Sequence, residues 1–355
     1  MVRLFVRLSI LLFWLGAITV FAFSSYVFKS AEQKTLRIFA WADIFDQQYI
    51  QQFEKATGVK VLISYYESNE ELLVKLKATH GKDYDLIIPS DYAVAQLRQE
   101  GLLKKIDKSK LQFISKCNPV LMGHYYDPQN DYSLPLEWGV FGLGINEEHF
   151  KDQKIVPSWQ SVFDSKVSPG NLVMLNDPRE ALQIAAYYLY GFVEKLSDQQ
   201  IEEVKALLIK QRQLVQCYSE SRSDYLLATG NSPLVVSANS YIWRSMQRYP
   251  HIRFVVPQEG TFITIENVAI PVSCQKEEMI YHFLNFIYTP EAMNHHFHKF
   301  AFFPAIVDQS LLANVDKSLH PYLLPSADQF KKFYFFKPLL PEDKIQDLWI
   351  KIKAS

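Results

Sequence analysis

Asp177 and Glu180 stand three residues apart in the stretch NDPREALQIAAYYL, with Pro178 between them and an apolar run behind. Two roles fit that spacing. In one, Asp177 is a helix N-cap whose oxygen accepts a backbone N–H. Pro178 then takes the first helical position, where a missing N–H costs nothing, and Glu180 completes a capping box. In the other, a helix start presents two carboxylates to a cationic ligand. A third role, acid and base in an exported hydrolase or transferase, fits poorly. Neighbours on one side of a helix cannot flank a scissile bond, and no nucleophile elbow or Ser-His-Asp pattern accompanies them. The chain therefore reads as a binding protein and not an enzyme.

Partners for these acids must come from other elements. TLRIFAW reads as a strand ending at Trp41, and DQQYIQQFEKATG as a helix stopped by Gly58. VKVLISYY is a strand. SNEELLVKLKATHG is a helix capped by Ser68 and stopped by Gly81. YDLIIPS is a buried strand, and DYAVAQLRQEG a helix stopped by Gly101. This alternation predicts a mostly parallel α/β sheet, whose ligands sit beyond the carboxyl ends of strands. Trp41 and Ser90-Asp91-Tyr92 occupy such ends. DYSLPLEWGVFGLGINEEHF is extended and broken by Gly139, Gly142 and Gly144, which suits a strand passing between two lobes. Helical patterns resume from Asp177 and from Ser197, and EEMIYHFLNFIYTPEAMNHHFHKF is helical but interrupted near Pro290. PLVVSAN, IRFVVP and ENVAIPV are strand-like. Near the C-terminus, Leu348, Trp349 and Ile352 form the apolar side of a helix expected to dock on a lobe.

With 355 residues, 48% of them hydrophobic, the chain can build two lobes. A net charge of −1 and no basic run give nothing for nucleic acid to bind. Arg3 and Arg7 precede an uncharged stretch from Leu8 to Phe28, the pattern of an export signal. Cleavage after Ala22 or Ser24 fits, and so does a retained anchor, since about 20 apolar residues span a bilayer. Cys117, Cys217 and Cys274 are widely spaced, so at most one disulfide can form, and free thiols are expected. His295, His296 and His298 form no zinc motif and read as a helix face rather than a metal site. Neither metal nor cofactor is expected.

TGVKVLISYYESNEELLVKLKA, YDLIIPSDYAVAQLRQEGLLKKIDKSKL, NDYSLPLEWGVFGLGIN, DPREAL and ENVAIP together resemble the periplasmic solute-binding proteins of ABC importers, in particular the spermidine/putrescine-binding branch. The resemblance implies a type II-like, two-lobe fold. Each lobe would be a mixed, mostly parallel sheet flanked by helices, with the ligand cleft between them. The expected division is 1–28 signal or anchor, 35–142 plus 266–312 as the first lobe, and 143–265 plus 313–355 as the second. It further implies a monomer outside the cytoplasm, periplasmic or tethered to the inner membrane, that delivers a polyamine to an inner-membrane ABC permease. An anchored or divergent solute-binding protein that senses another cationic small molecule is the alternative.

Carried over residue by residue, the resemblance gives a ligand set. Trp41, Asp43, Ser90 and Tyr92 match positions at the strand-end rim, and Phe45 neighbours a usual tyrosine position filled here by Ile44. Asp177 and Glu180 match a central acidic pair, and Glu266 falls where the family has an Asp. Ser219 and Phe303 align with peripheral contacts. Ala238 and Thr264 replace tryptophans, so the acids are kept while the aromatic box is thinned. The pairing of acids with rings suits amines, since carboxylates give ammonium groups charge-assisted hydrogen bonds and ring faces attract cations.

Overall fold

The computed structural model describes residues 12–21, 34–150, 156–219, 222–315 and 317–355. Of the proposed N-terminal signal, only residues 12–21 are described, as an exposed helix; both candidate cleavage points lie outside the described residues. No described helix is long and apolar enough to cross a membrane.

Eleven strands form one curled mixed sheet among the described residues: β1 Thr35–Trp41, β2 Lys60–Tyr66, β3 Leu86–Ile87, β4 Ser133–Asn146, β5 Leu172–Met174, β6 Val215–Tyr218, β7 Leu234–Ala238, β8 Ile252–Val255, β9 Thr261–Ala269, β10 Phe303–Pro304 and β11 Phe333–Phe335. The order is β2-β1-β3-β9-β4-β7-β5-β6, with β8 and β10 also on β4 and β11 on β9. β1 runs parallel to β2 and β3, and β5 parallel to β6 and β7, as alternating helices and strands require. This is the mixed α/β architecture expected from the sequence.

The local signals behave as read. Asp46 caps the helix Gln47–Thr57, whose C-cap is Gly58 in the left-handed region; Ser68 caps Asn69–Thr79. Thr289 caps Pro290–Phe300, so the Pro290 interruption is a true boundary between two helices. The strand read in YDLIIPS shrinks to Leu86–Ile87. Pro89 carries no N–H for the ladder, and the next helix starts at Asp91 with Ser90 as its N-cap residue.

β4 is the spine. All fourteen residues are buried. Ser133–Val140 pair with β9, whereas Phe141–Asn146 pair with β7 and β8, so one strand serves both halves of the sheet. The glycines do not break it, as the sequence suggested, but let neighbours approach. A Cβ on Gly142 would lie 2.6 Å from the Val255 carbonyl oxygen, and one on Gly144 2.6 Å from Ile242 Cδ1. A large core joins Ile38, Leu86, Trp138 and Ile265 to the helices Glu277–Ile287 and Pro290–Phe300. A second joins Trp159, Leu172, Leu182, Val204 and Val236. The C-terminal helix Glu342–Ala354 docks on this second core through Ile345, Leu348, Trp349 and Ile352. Each such side chain contributes about 1.5–3 kcal/mol of burial. All three cysteines are free thiols.

Candidate functional site

Asp177 does cap a helix. Its Oδ1 accepts the backbone N–H of Arg179 at 2.8 Å and of Glu180 at 3.2 Å, and Pro178 opens the helix Pro178–Tyr190. The same helix start borders a cleft of about 260 Å³, small for a ligand site (~300–1,000 Å³) and suited to a slender molecule. Asp177, Arg179 and Glu180 form one side. Facing them are the carboxyl ends of β1 and β3, the start of the helix Asn69–Thr79, and the middle of β4 and β9. Among the described residues, seven acids line this cleft, against two bases.

The far wall is tied together around Glu266. Trp41 Nε1 donates to Glu266 Oε2 at 2.8 Å, and the Ser90 hydroxyl donates to the same carboxylate at 2.8 Å. Asn69 Nδ2 donates to the Ser90 oxygen at 2.9 Å while Asn69 Oδ1 accepts the Ser90 backbone N–H. The indole of Trp41 is tilted on Tyr66 with ring centroids 4.5 Å apart. Burial pushes the Glu266 carboxyl up to about 8; repulsion from Glu137 and Asp91 adds to the rise, and the Ser90 and Trp41 hydrogen bonds oppose it. Burial lifts Asp91 to about 7, against hydrogen bonds from the Ile265 backbone and the Tyr125 hydroxyl. Asp177 is raised as well, by burial, with Arg179 and two backbone N–H groups opposing.

Arg179 crosses the cleft. Its guanidinium bonds Glu70 at 2.8 Å and lies 4.8 Å from the centroid of the Tyr92 ring, whose hydroxyl donates to Glu70 at 3.1 Å. The Tyr92 ring expected to meet a ligand cation is thus already covered on one face by a cation of the protein.

Six of the ten residues expected from sequence line the cleft together: Trp41, Ser90, Tyr92, Asp177, Glu180 and Glu266. Four do not. Phe303 is 1% exposed and packs on Trp138; its neighbour Phe302 reaches the cleft instead, because adjacent residues of an extended chain face opposite ways. Phe45 lines a separate cavity of about 30 Å³ beside Tyr49 and His295. Ser219 follows β6, its N–H bonded to the Met174 carbonyl, outside the cleft lining. Asp43 is exposed in a left-handed turn, close enough only to act on Glu137 by charge.

Glu70, Glu137, Arg179, Tyr241, Phe302 and Phe336 line the cleft without having been singled out. Glu137 had a visible signal, being the one charged residue in the fourteen-residue strand SLPLEWGVFGLGIN. Ala238 and Thr264 do line the cleft, and the rings of Tyr241, Phe302 and Phe336 belong to the same lining. The histidines also differ from expectation. His295 pairs with Asp46 at 3.0 Å and His296 with Glu137, acids too distant in sequence to be seen as partners. No group of metal-binding side chains occurs among the described residues.

The profile of the bacterial extracellular solute-binding protein family matches residues 48–318. The spermidine/putrescine-binding periplasmic protein of Escherichia coli is 32% identical over 265 residues, covering 73% of this chain and 74% of that protein. A putrescine-binding periplasmic protein of Pseudomonas aeruginosa is 29% identical over 346 residues, covering 92% and 94%. The spermidine/putrescine ABC transporter substrate-binding protein of Streptococcus pneumoniae superposes with a TM-score of 0.76 over 90% of this chain and 98% of that one, at 22% identity, a likeness of fold. The chain belongs to the bacterial extracellular solute-binding protein family and is a binding protein, not an enzyme.

Proposed function

We propose that this family member is the substrate-binding component of an ABC importer for polyamines of the spermidine/putrescine class. The observation that carries the reading is the acid excess of the cleft, with carboxylates from both sides and aromatic rings in the same lining. A polyamine has charges separated by methylenes, so its ammonium groups meet Asp177 and Glu180 on one side and Glu266 on the other. Its spacer lies along Trp41 and the neighbouring rings. Trp41, Ser90, Tyr92, Asp177, Glu180 and Glu266 are the ligand-binding residues in this reading. The E. coli and P. aeruginosa relatives, a spermidine/putrescine-binding and a putrescine-binding periplasmic protein, support the ligand class.

The lobes we assign are 35–142 with 266–312 and 143–265 with 313–355, hinged where β4 and β9 run between them. The division of β4 pairing at Val140/Phe141 supports this boundary. The chain is exported, acts outside the cytoplasm as a monomer, and passes its ligand to an inner-membrane permease. Calorimetry against putrescine, cadaverine, spermidine and spermine, with butylamine as the monoamine control, tests the ligand class. Di- and triamines should bind more tightly than butylamine. Absence of binding by all four polyamines would refute it.

A further inference from the structure

Glu137 lies directly opposite Glu266 in the antiparallel pairing of β4 with β9. Cross-strand neighbours project from the same face of a sheet, and like charges placed so repel. An interior that needed only packing would hold an apolar side chain there. Glu137 is 0% exposed, yet it forms part of the cleft wall beside Glu266. One of its oxygens, Oε2, is bonded to His296 Nε2. The other, Oε1, has no hydrogen-bond partner among the described residues. The charges that act on Glu137 are His296, which favours its ionised form, and Asp43, which opposes it; Glu137 in turn raises Glu266. Of the two facing acids, only Glu137 is met by the histidine, and one of its oxygens is a buried acceptor left over. Such an atom normally has a partner.

We propose that Glu137 is a ligand-binding carboxylate, which together with Glu266 holds one ammonium group of the polyamine, the group donating to Glu137 Oε1. An ammonium has three N–H donors and can serve both acids at once. This rests on the polyamine reading of the cleft and adds to it a residue from the strand β4.

The test begins with calorimetry of the unaltered protein and putrescine or spermidine. If neither binds, the polyamine reading itself fails. If the unaltered protein binds, Glu137→Gln, which keeps shape and removes charge, should weaken binding about tenfold to a hundredfold, the range for one charged hydrogen bond. A folded variant within twofold of the unaltered protein would overturn the role of Glu137 while leaving the polyamine reading intact. Because burial makes this position sensitive, a crystal structure of the unaltered protein with ligand gives an answer that does not depend on the variant folding. An amine nitrogen within about 3 Å of Glu137 Oε1 is expected. A water there, or a ligand with every nitrogen elsewhere, would refute the proposal.

Discussion

Glu266→Gln should stabilise the empty protein at alkaline pH while weakening polyamine binding. The carboxyl is moved from an ordinary 4.5 to about 8. Between those values the folded chain holds a proton that the unfolded chain has released, so stability falls as pH rises through this window. The contribution is complete below about 4.5 and lost above about 8. At pH 8.5 the ionised form costs the folded state up to about 5 kcal/mol. Glutamine removes that cost, but it has one acceptor oxygen for the two donors of Trp41 and Ser90, a loss of about 1 kcal/mol. The variant should therefore be about 2–4 kcal/mol more stable at pH 8.5 and near parity at pH 5. Asp91, lifted from 3.8 to about 7, adds a slope of the same sign that both proteins carry. Urea melts from pH 5 to 8.5 measure this directly. Spermidine should then raise the stability of the unaltered protein more than that of the variant, and binding should weaken as pH drops below 8 because the ligand must displace the proton. Parallel pH–stability curves for the two proteins would refute the reasoning.

Three more outcomes follow from the geometry. Trp41→Ala should lose about 1–3 kcal/mol of polyamine binding by calorimetry, through lost stacking and the lost donor to Glu266; binding within twofold of the unaltered protein would make Trp41 mere packing. Glu70→Gln should loosen the cross-cleft contact of Arg179, a partly exposed ion pair worth ~0–1 kcal/mol that acts alongside stacking on Tyr92. Scattering should show a larger radius of gyration for the empty variant, and an unchanged profile would count against a latch. Gly142→Ala should destabilise the chain by about 1–3 kcal/mol or more in denaturant melts, because its Cβ would press on the Val255 carbonyl and the Phe254 ring; an unchanged midpoint would show that β4 yields there.

The alternation of strands and helices up to Gly101 was legible because each boundary carries its own chemistry, such as Ser68 as a cap or Gly58 in a left-handed C-cap. The role of the glycines in β4 was not. Gly142 and Gly144 answer to Val255, Phe254 and Ile242, and sequence gives no view of what will lie against a strand. β11 was hidden for the same reason, since three residues in a tail say nothing about pairing with β9. In the site, acids at a helix start and residues at strand ends were readable because local structure places them. Phe302 was missed by one position, and one position reverses a side chain. Arg179 sat inside a quoted motif, but its partners Glu70 and Tyr92 come from the opposite side of the cleft.

The two bases of the cleft are already engaged, and this bears on how a cation could be recognised there. Arg179 is held by Glu70 and the face of Tyr92. Lys337 reaches Glu194 at 3.3 Å and lies 5.1 Å from the Tyr125 ring centroid. Neither is near Glu266 or Glu137 in any hydrogen bond or ion pair among the described residues, where burial raises both carboxyls. The acids of the far wall thus stand in a strained electrostatic balance, met by one histidine and by neutral donors. Ligand binding would draw on relief of that strain as well as on new contacts. A bound diamine should accordingly gain most where the empty protein is least comfortable, at pH near or above 8, until the amines themselves lose their protons near the ordinary value of about 10 for an alkyl ammonium. Calorimetry of putrescine binding from pH 6 to 10 should trace a maximum between those limits. A curve that falls steadily from pH 6 upward would show that the Glu266 end takes no part in holding the amine.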